Sequence, residues 1–144
     1  MKNILLITLC LFTLAACKKE EEKPASPTLT YKSISDTEVQ SYQNEVKVVF
    51  SYEDFQGDLG TQDPDEMTLF VKDARLEEAD LYHVPPMTPE MQELHIKGDY
   101  EVTLSNLFLL GNGASETTTF SIQIRDRAGN LSNTIQTDVV TITP

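Results

Sequence analysis

A chain of 144 residues with 23 acidic and 11 basic side chains carries a formal net charge of −12. That balance excludes nucleic acid and anionic lipid headgroups as natural partners, since both would repel it. It suits solubility at a surface and the binding of cations, and the length provides for one hydrophobic core but not two.

The N-terminal segment reads as an export signal. Met1-Lys2-Asn3 is cationic, Ile4 to Ala16 is apolar, and small residues precede Cys17. An apolar run of that length spans roughly 20 Å as a helix, short of the roughly 30 Å hydrocarbon core of a bilayer. Leu14-Ala15-Ala16-Cys17 resembles the lipobox of bacterial lipoproteins. The resemblance implies cleavage before Cys17, lipidation of its thiol and acylation of the new amine. Acyl chains contribute about 0.8 kcal/mol per buried methylene, so such an anchor holds without a spanning helix. Cys10 then falls in the removed peptide, and the mature chain has no pair of thiols for a disulfide or a cysteine metal site.

The expected organisation is a signal peptide over residues 1–16, a lipidated cysteine with a charged flexible spacer over 17–27, and one domain over 28–144. Lys18 to Pro27 holds three glutamates and two prolines and no apolar side chain larger than alanine, so it buries nothing. Lysine followed by acids directly after the cysteine resembles the surface-export signal of certain Gram-negative lipoproteins. It implies an outer-membrane lipoprotein, on the cell surface before the periplasmic face.

From residue 28 the pattern is alternation. Leu29 to Ile34 or Glu38 to Ser41 is an early strand candidate. Val46, Val48, Phe50 and Tyr52 share one face of a strand, and Leu69 and Val71 share one face of a shorter one. Ala74 to Tyr82 has the composition of a turn or two of helix, and Val84 to Pro89, with three prolines, reads as an exposed crossover. Leu94 to Lys97 and Tyr100 to Leu104 flank Gly98-Asp99, which reads as a hairpin tip. Thr118, Phe120, Ile122 and Ile124 line one face of the next strand. The last, Thr134 to Thr143, sets Ile135, Thr137, Val139 and Thr141 against Gln136, Asp138, Val140 and Ile142. About seven short strands without a repeat predict an all-β antiparallel sandwich.

Two acidic loops carry the candidate chemistry. The first runs from Tyr52 to Asp65 and the second from Arg125 to Asn133. Asp54-Phe55-Gln56-Gly57-Asp58-Leu59-Gly60 and Asp126-Arg127-Ala128-Gly129-Asn130-Leu131-Ser132 resemble motifs of Ig-like or cadherin-like domains in bacterial surface lipoproteins. The resemblance implies an Ig-like sandwich, in which these two loops meet at one end. Glu53, Asp54, Asp58, Asp63, Asp65, Asp126 and Asn130 would then converge, offering the oxygen ligands that Ca²⁺ takes. The bland alternative is that Asp126 and Asn130 close an Asx-type turn around Gly129 and that the other acids form a solvated rim.

No catalytic constellation stands out. His83 and His95 are the only imidazoles, and neither lies in a nucleophile, zinc or phosphate-loop motif. The expectation is a non-enzymatic, membrane-anchored and monomeric binding or adhesion module for a protein or glycan. The alternative is an accessory subunit of an outer-membrane assembly or nutrient-uptake complex. Phe55, Tyr82 and Phe108 are the aromatics suited to ligand contact if they are exposed at a pole. Whether the acidic pole faces the membrane turns on the direction of the first strand.

Overall fold

The computed structural model describes residues 23–89 and 93–144; the expected signal peptide, Cys17 and the start of the spacer lie outside them. Within the described residues every regular element is a strand: β1 (Thr28–Ile34), β2 (Glu38–Gln40), β3 (Val46–Asp54), β4 (Leu69–Asp73), β5 (Asp80–Tyr82), β6 (Ile96–Leu104), β7 (Glu116–Thr118), β8 (Phe120–Ile124), β9 (Ile135–Gln136) and β10 (Val140–Thr143). One sheet has the order β1-β3-β6; the others run β5-β4-β8-β9 and β2-β10-β7. All pairs are antiparallel except β2 with β10. Thr119 alone separates β7 from β8, and residues 137–139 separate β9 from β10, so the second and third sheets share two chain runs. The molecule is an all-β sandwich, and its segments group into the expected seven runs, three of which change partners midway.

Alternation builds the core. In β3, Val46, Val48 and Phe50 are fully buried, while Lys47 faces solvent. Their partners across the sandwich include Leu69, Val71, Ile122, Ile124, Val140 and Ile142. Each such side chain contributes about 1.5–3 kcal/mol when removed from water. β-Branched residues dominate because they fit a pleated, half-buried surface.

Three expectations are corrected. Gly98-Asp99 is not a hairpin tip: β6 runs unbroken past it, with Gly98 opposite Tyr52. A Cβ at Gly98 would lie 2.8 Å from the Tyr52 hydroxyl, so the glycine makes room for that ring. The segment 74–82 is not helical but a turn followed by β5, which pairs with β4. The face assigned to the last strand holds only to Thr137. Thr137 Oγ1 accepts from the Phe120 amide, Asp138 and Val139 both lie outside, and Val140 and Ile142 enter the core instead. The one extra exposed residue inverts the pleat, because side chains alternate with a period of two.

Candidate functional site

The first acidic loop leaves the end of β3, and the second leaves the end of β8. The two do meet: Leu59 bridges to Asp126, Arg127 N–H donates to the Asp58 carbonyl at 3.0 Å, and the Arg127 guanidinium donates to the Gly60 carbonyl at 3.0 Å. Asp54, fully buried, accepts from the amides of Gln56 at 3.1 Å and Asp58 at 2.9 Å, closing a turn on itself. Asp126, 2 % exposed, accepts from the backbone N–H of Asn130 at 2.7 Å and from its side-chain amide at 2.9 Å. Gly129, at φ +93, allows the chain to reverse there.

Of the expected ligand set, Asp54, Asp58, Asp126 and Asn130 are brought together and the rest are not. Asp63 and Asp65 are exposed, with Asp63 capping the Asp65 amide at 3.0 Å. Glu53 pairs with His95 at 2.9 Å, whose ring stacks on Phe55 at 4.2 Å. Among the described residues no three His, Cys, Asp or Glu side chains are disposed to hold a metal ion. The convergence of all seven on one cation is therefore corrected. Backbone amides take up the oxygens of Asp54, and Asn130 takes up those of Asp126. The first loop's glycines permit close backbone approach: a Cβ at Gly57 would fall 2.1 Å from the Leu94 carbonyl oxygen.

Asp58 is the member under electrostatic load. Its Oδ2 accepts from the Ala128 amide at 3.1 Å, but Oδ1 is buried without a partner. Burial pushes its carboxyl above the usual range, and the neighbouring Asp126 and Asp54 push it further. A carboxyl raised by folding weakens the fold as pH rises from its unfolded to its folded value, and the penalty persists above that. Asp58→Asn keeps the acceptor for Ala128 and removes the repulsion. It is expected to raise the melting midpoint by a few degrees at pH 7 and to leave it unchanged near pH 3. Calorimetry at the two pH values checks this; a lower midpoint at pH 7 would show that the charge is needed.

The same pole receives the N-terminal connection. Thr28 opens β1 opposite Glu53, Asn130 donates to the Ala25 carbonyl at 3.2 Å, and Asn133 clamps both backbone groups of Leu29, at 2.7 and 2.9 Å. The first strand therefore runs away from the acidic pole.

The far pole carries a different surface. The Tyr42 amide donates to the Leu107 carbonyl at 2.8 Å, joining residues 41–45 to the segment after β6. The Tyr42 ring stacks on Phe108 with centroids 5.8 Å apart and planes 8° from parallel, and Tyr42 remains 70 % exposed. Beside the stack lies a groove of about 390 Å³ between β5 and the end of β6, lined by Asp80, Leu81 and Tyr82 on one side and by Thr103, Ser105, Asn106 and Phe108 on the other. Arg75 holds the segment in place. It donates to Asp73 at 2.6 Å, Glu116 at 2.7 Å and the Phe108 carbonyl at 3.0 Å, while Glu116 caps the amides of Leu110 and Gly111.

Of the aromatics picked out from sequence, Phe108 reaches this pole, Tyr82 is half-buried in the groove, and Phe55 sits at the opposite end. Tyr42 was not singled out. Its one sequence signal is an aromatic side chain in Ser41-Tyr42-Gln43-Asn44, a stretch without charge. Comparison with protein-family models, with curated proteins and with solved structures returned no match.

Proposed function

We propose that the chain is a lipid-anchored lipoprotein of the outer membrane, exposed at the cell surface, whose sandwich acts as a non-enzymatic binding module. The observation that carries this reading is the place of chain entry: Asn130 ties Ala25 to the acidic pole. Eight residue steps separate Cys17 from Ala25, at most about 28 Å of extended chain. A tether of that reach keeps the acidic pole on the membrane side. The nine residues of β3 carry the opposite pole about 30 Å further out, toward ligands. Both imidazoles have local partners: His83 bonds to the Thr61 carbonyl at 2.9 Å, and His95 bonds to Glu53 at 2.9 Å.

The test is metabolic labelling with palmitate followed by fractionation. Wild type is expected to take up label and sediment with membranes, whereas Cys17→Ala takes up none and is recovered in the soluble fraction. A Cys17→Ala chain that is still labelled would sink the anchor.

A second reading, an accessory subunit of a larger assembly, draws on the outer face of the β5-β4-β8-β9 sheet. Leu81 and Leu131 are 54 % and 50 % exposed there, near a groove lined by Phe70 and Ala79. A stoichiometric partner recovered after mild detergent extraction would favour it.

A further inference from the structure

We infer that the far pole is a binding platform for a neutral saccharide, with Tyr42 as its stacking face and the groove beside Phe108 as its continuation. The inference deepens the binding-module reading and rests on it. Its first support is charge. In a chain where 24 % of residues are charged, residues 41–44 and 105–115 contain no Asp, Glu, Lys, Arg or His, and the charges that border them are carboxylates, Asp80 in the groove and Glu45 beside Ser105. The nearby Arg75 guanidinium is engaged by Asp73 and Glu116. Such a surface repels a phosphate, and among the described residues no three His, Cys, Asp or Glu side chains gather to hold a metal ion. Its other polar groups are amides and hydroxyls, among them Gln43, Thr103 and Asn106, and together with the carboxylates they match sugar hydroxyls as donors and acceptors.

The second support is backbone strain. Among the described residues the only non-glycine positions at positive φ are Tyr42 and Asn106, both at 60°. Both lie at this pole, on the two segments that carry the aromatic stack. Asparagine tolerates that conformation, but a bulky tyrosine does not adopt it without cost. Strain of this kind persists where the surrounding structure imposes it and where it serves a site. Here it turns an aromatic ring outward, with one face supported by Phe108 and 70 % of the residue open to solvent.

The third support is shape. An aromatic face is negative and attracts the C–H edges of a sugar ring. The adjoining groove, about 390 Å³, lies at the small end of the range that encloses small ligands. It adds the Tyr82 ring, the Thr103 hydroxyl and the Asp80 carboxylate.

The experiment is affinity electrophoresis of the detergent-extracted full chain through native gels containing an α-glucan, a mannan, a xylan or a galactan. Retardation on at least one is expected. Tyr42→Gly, which suits the backbone at that position, should lose at least about tenfold in affinity with an unchanged melting midpoint, and Tyr42→Phe should retain binding. Free migration on all four polysaccharides, or retardation that Tyr42→Gly leaves intact, would overturn the platform. Because the extracted chain is used, this outcome is independent of the anchor. Retention of a protein partner at this pole with free migration on every glycan would preserve the module and remove the saccharide.

Discussion

Arg75→Ala is expected to destabilise the fold by about 3–5 kcal/mol, the usual cost of removing one partner from a buried ion pair. The side chains of Arg75, Asp73 and Glu116 are 12 %, 7 % and 22 % exposed. Arg75 grips Asp73 with Nε at 3.1 and 3.2 Å and with a terminal nitrogen at 2.6 Å. Without the guanidinium, the Asp73 carboxylate keeps only Thr118 and a backbone amide as partners, in a place that water barely reaches. The Phe108 carbonyl also loses its donor, so the far pole loosens along with the core edge. Arg75→Lys should fall between the two, because an ammonium cannot present the same planar fork. Urea denaturation measures the change as a shift in midpoint. A loss below about 1 kcal/mol would mean that the network behaves as a solvent-screened surface pair.

The same network sets the response to acid. Burial pushes the Asp73 carboxyl up, but hydrogen bonds from Arg75 and Thr118 outweigh it and hold the group below its usual range. Glu116 is held low by the amides of Leu110 and Gly111 and then by Arg75. Groups depressed by folding contribute stability that is fully present above their unfolded pKa of about 4 and is lost as pH falls through the folded value. Arg75→Ala should therefore flatten the decline in stability below about pH 4 as well as lower its plateau. Asp58, shifted the other way, contributes the opposite slope.

What was legible in the sequence follows from which interactions are local. β3 and β4 were visible because a period-two apolar pattern survives wherever one face is buried. The meeting of the two acidic loops was visible because sandwich topology places them at one end. The pleat inversion after Thr137 was not, because its cause is a pairing with Phe120 that lies 17 residues away. Gly98 was misjudged for a related reason: its need for a hydrogen side chain comes from Tyr52, across the sheet and far away in sequence. The acids of the first loop were legible as a cluster. Their use was not, since an aspartate that caps its own loop and one that waits for a cation have the same spelling. Tyr42 was hidden because its distinguishing properties, a positive φ and a ring supported by Phe108, exist only once the two far-pole segments are joined.

Gly60→Ala is the second substitution with a large expected effect. The loop after β3 and the proline crossover lie backbone against backbone at this point. The Thr61 amide donates to the Val84 carbonyl at 2.9 Å, and the Met87 amide donates to the Leu59 carbonyl at 3.1 Å. A Cβ at Gly60 would fall 2.1 Å from the Pro85 carbonyl oxygen and 2.9 Å from that of Val84, so the two strands of chain must separate. Each of the two hydrogen bonds contributes about 1 kcal/mol net. The left-handed conformation at φ +76 adds about 1–2 kcal/mol for any residue with a Cβ. Leu59 and Val84, both fully buried, would be pulled from the core as well. The sum points to a loss of about 3–5 kcal/mol in urea unfolding. Gly129→Ala supplies the control: φ is +93 there, but nothing lies within 4 Å of the added carbon. Strain alone should cost it about 1–2 kcal/mol. The difference between the two variants measures how tightly the crossover is locked to the acidic loop. Equal losses would mean that the crossover yields freely, and that conformational strain rather than close packing accounts for the glycine at position 60.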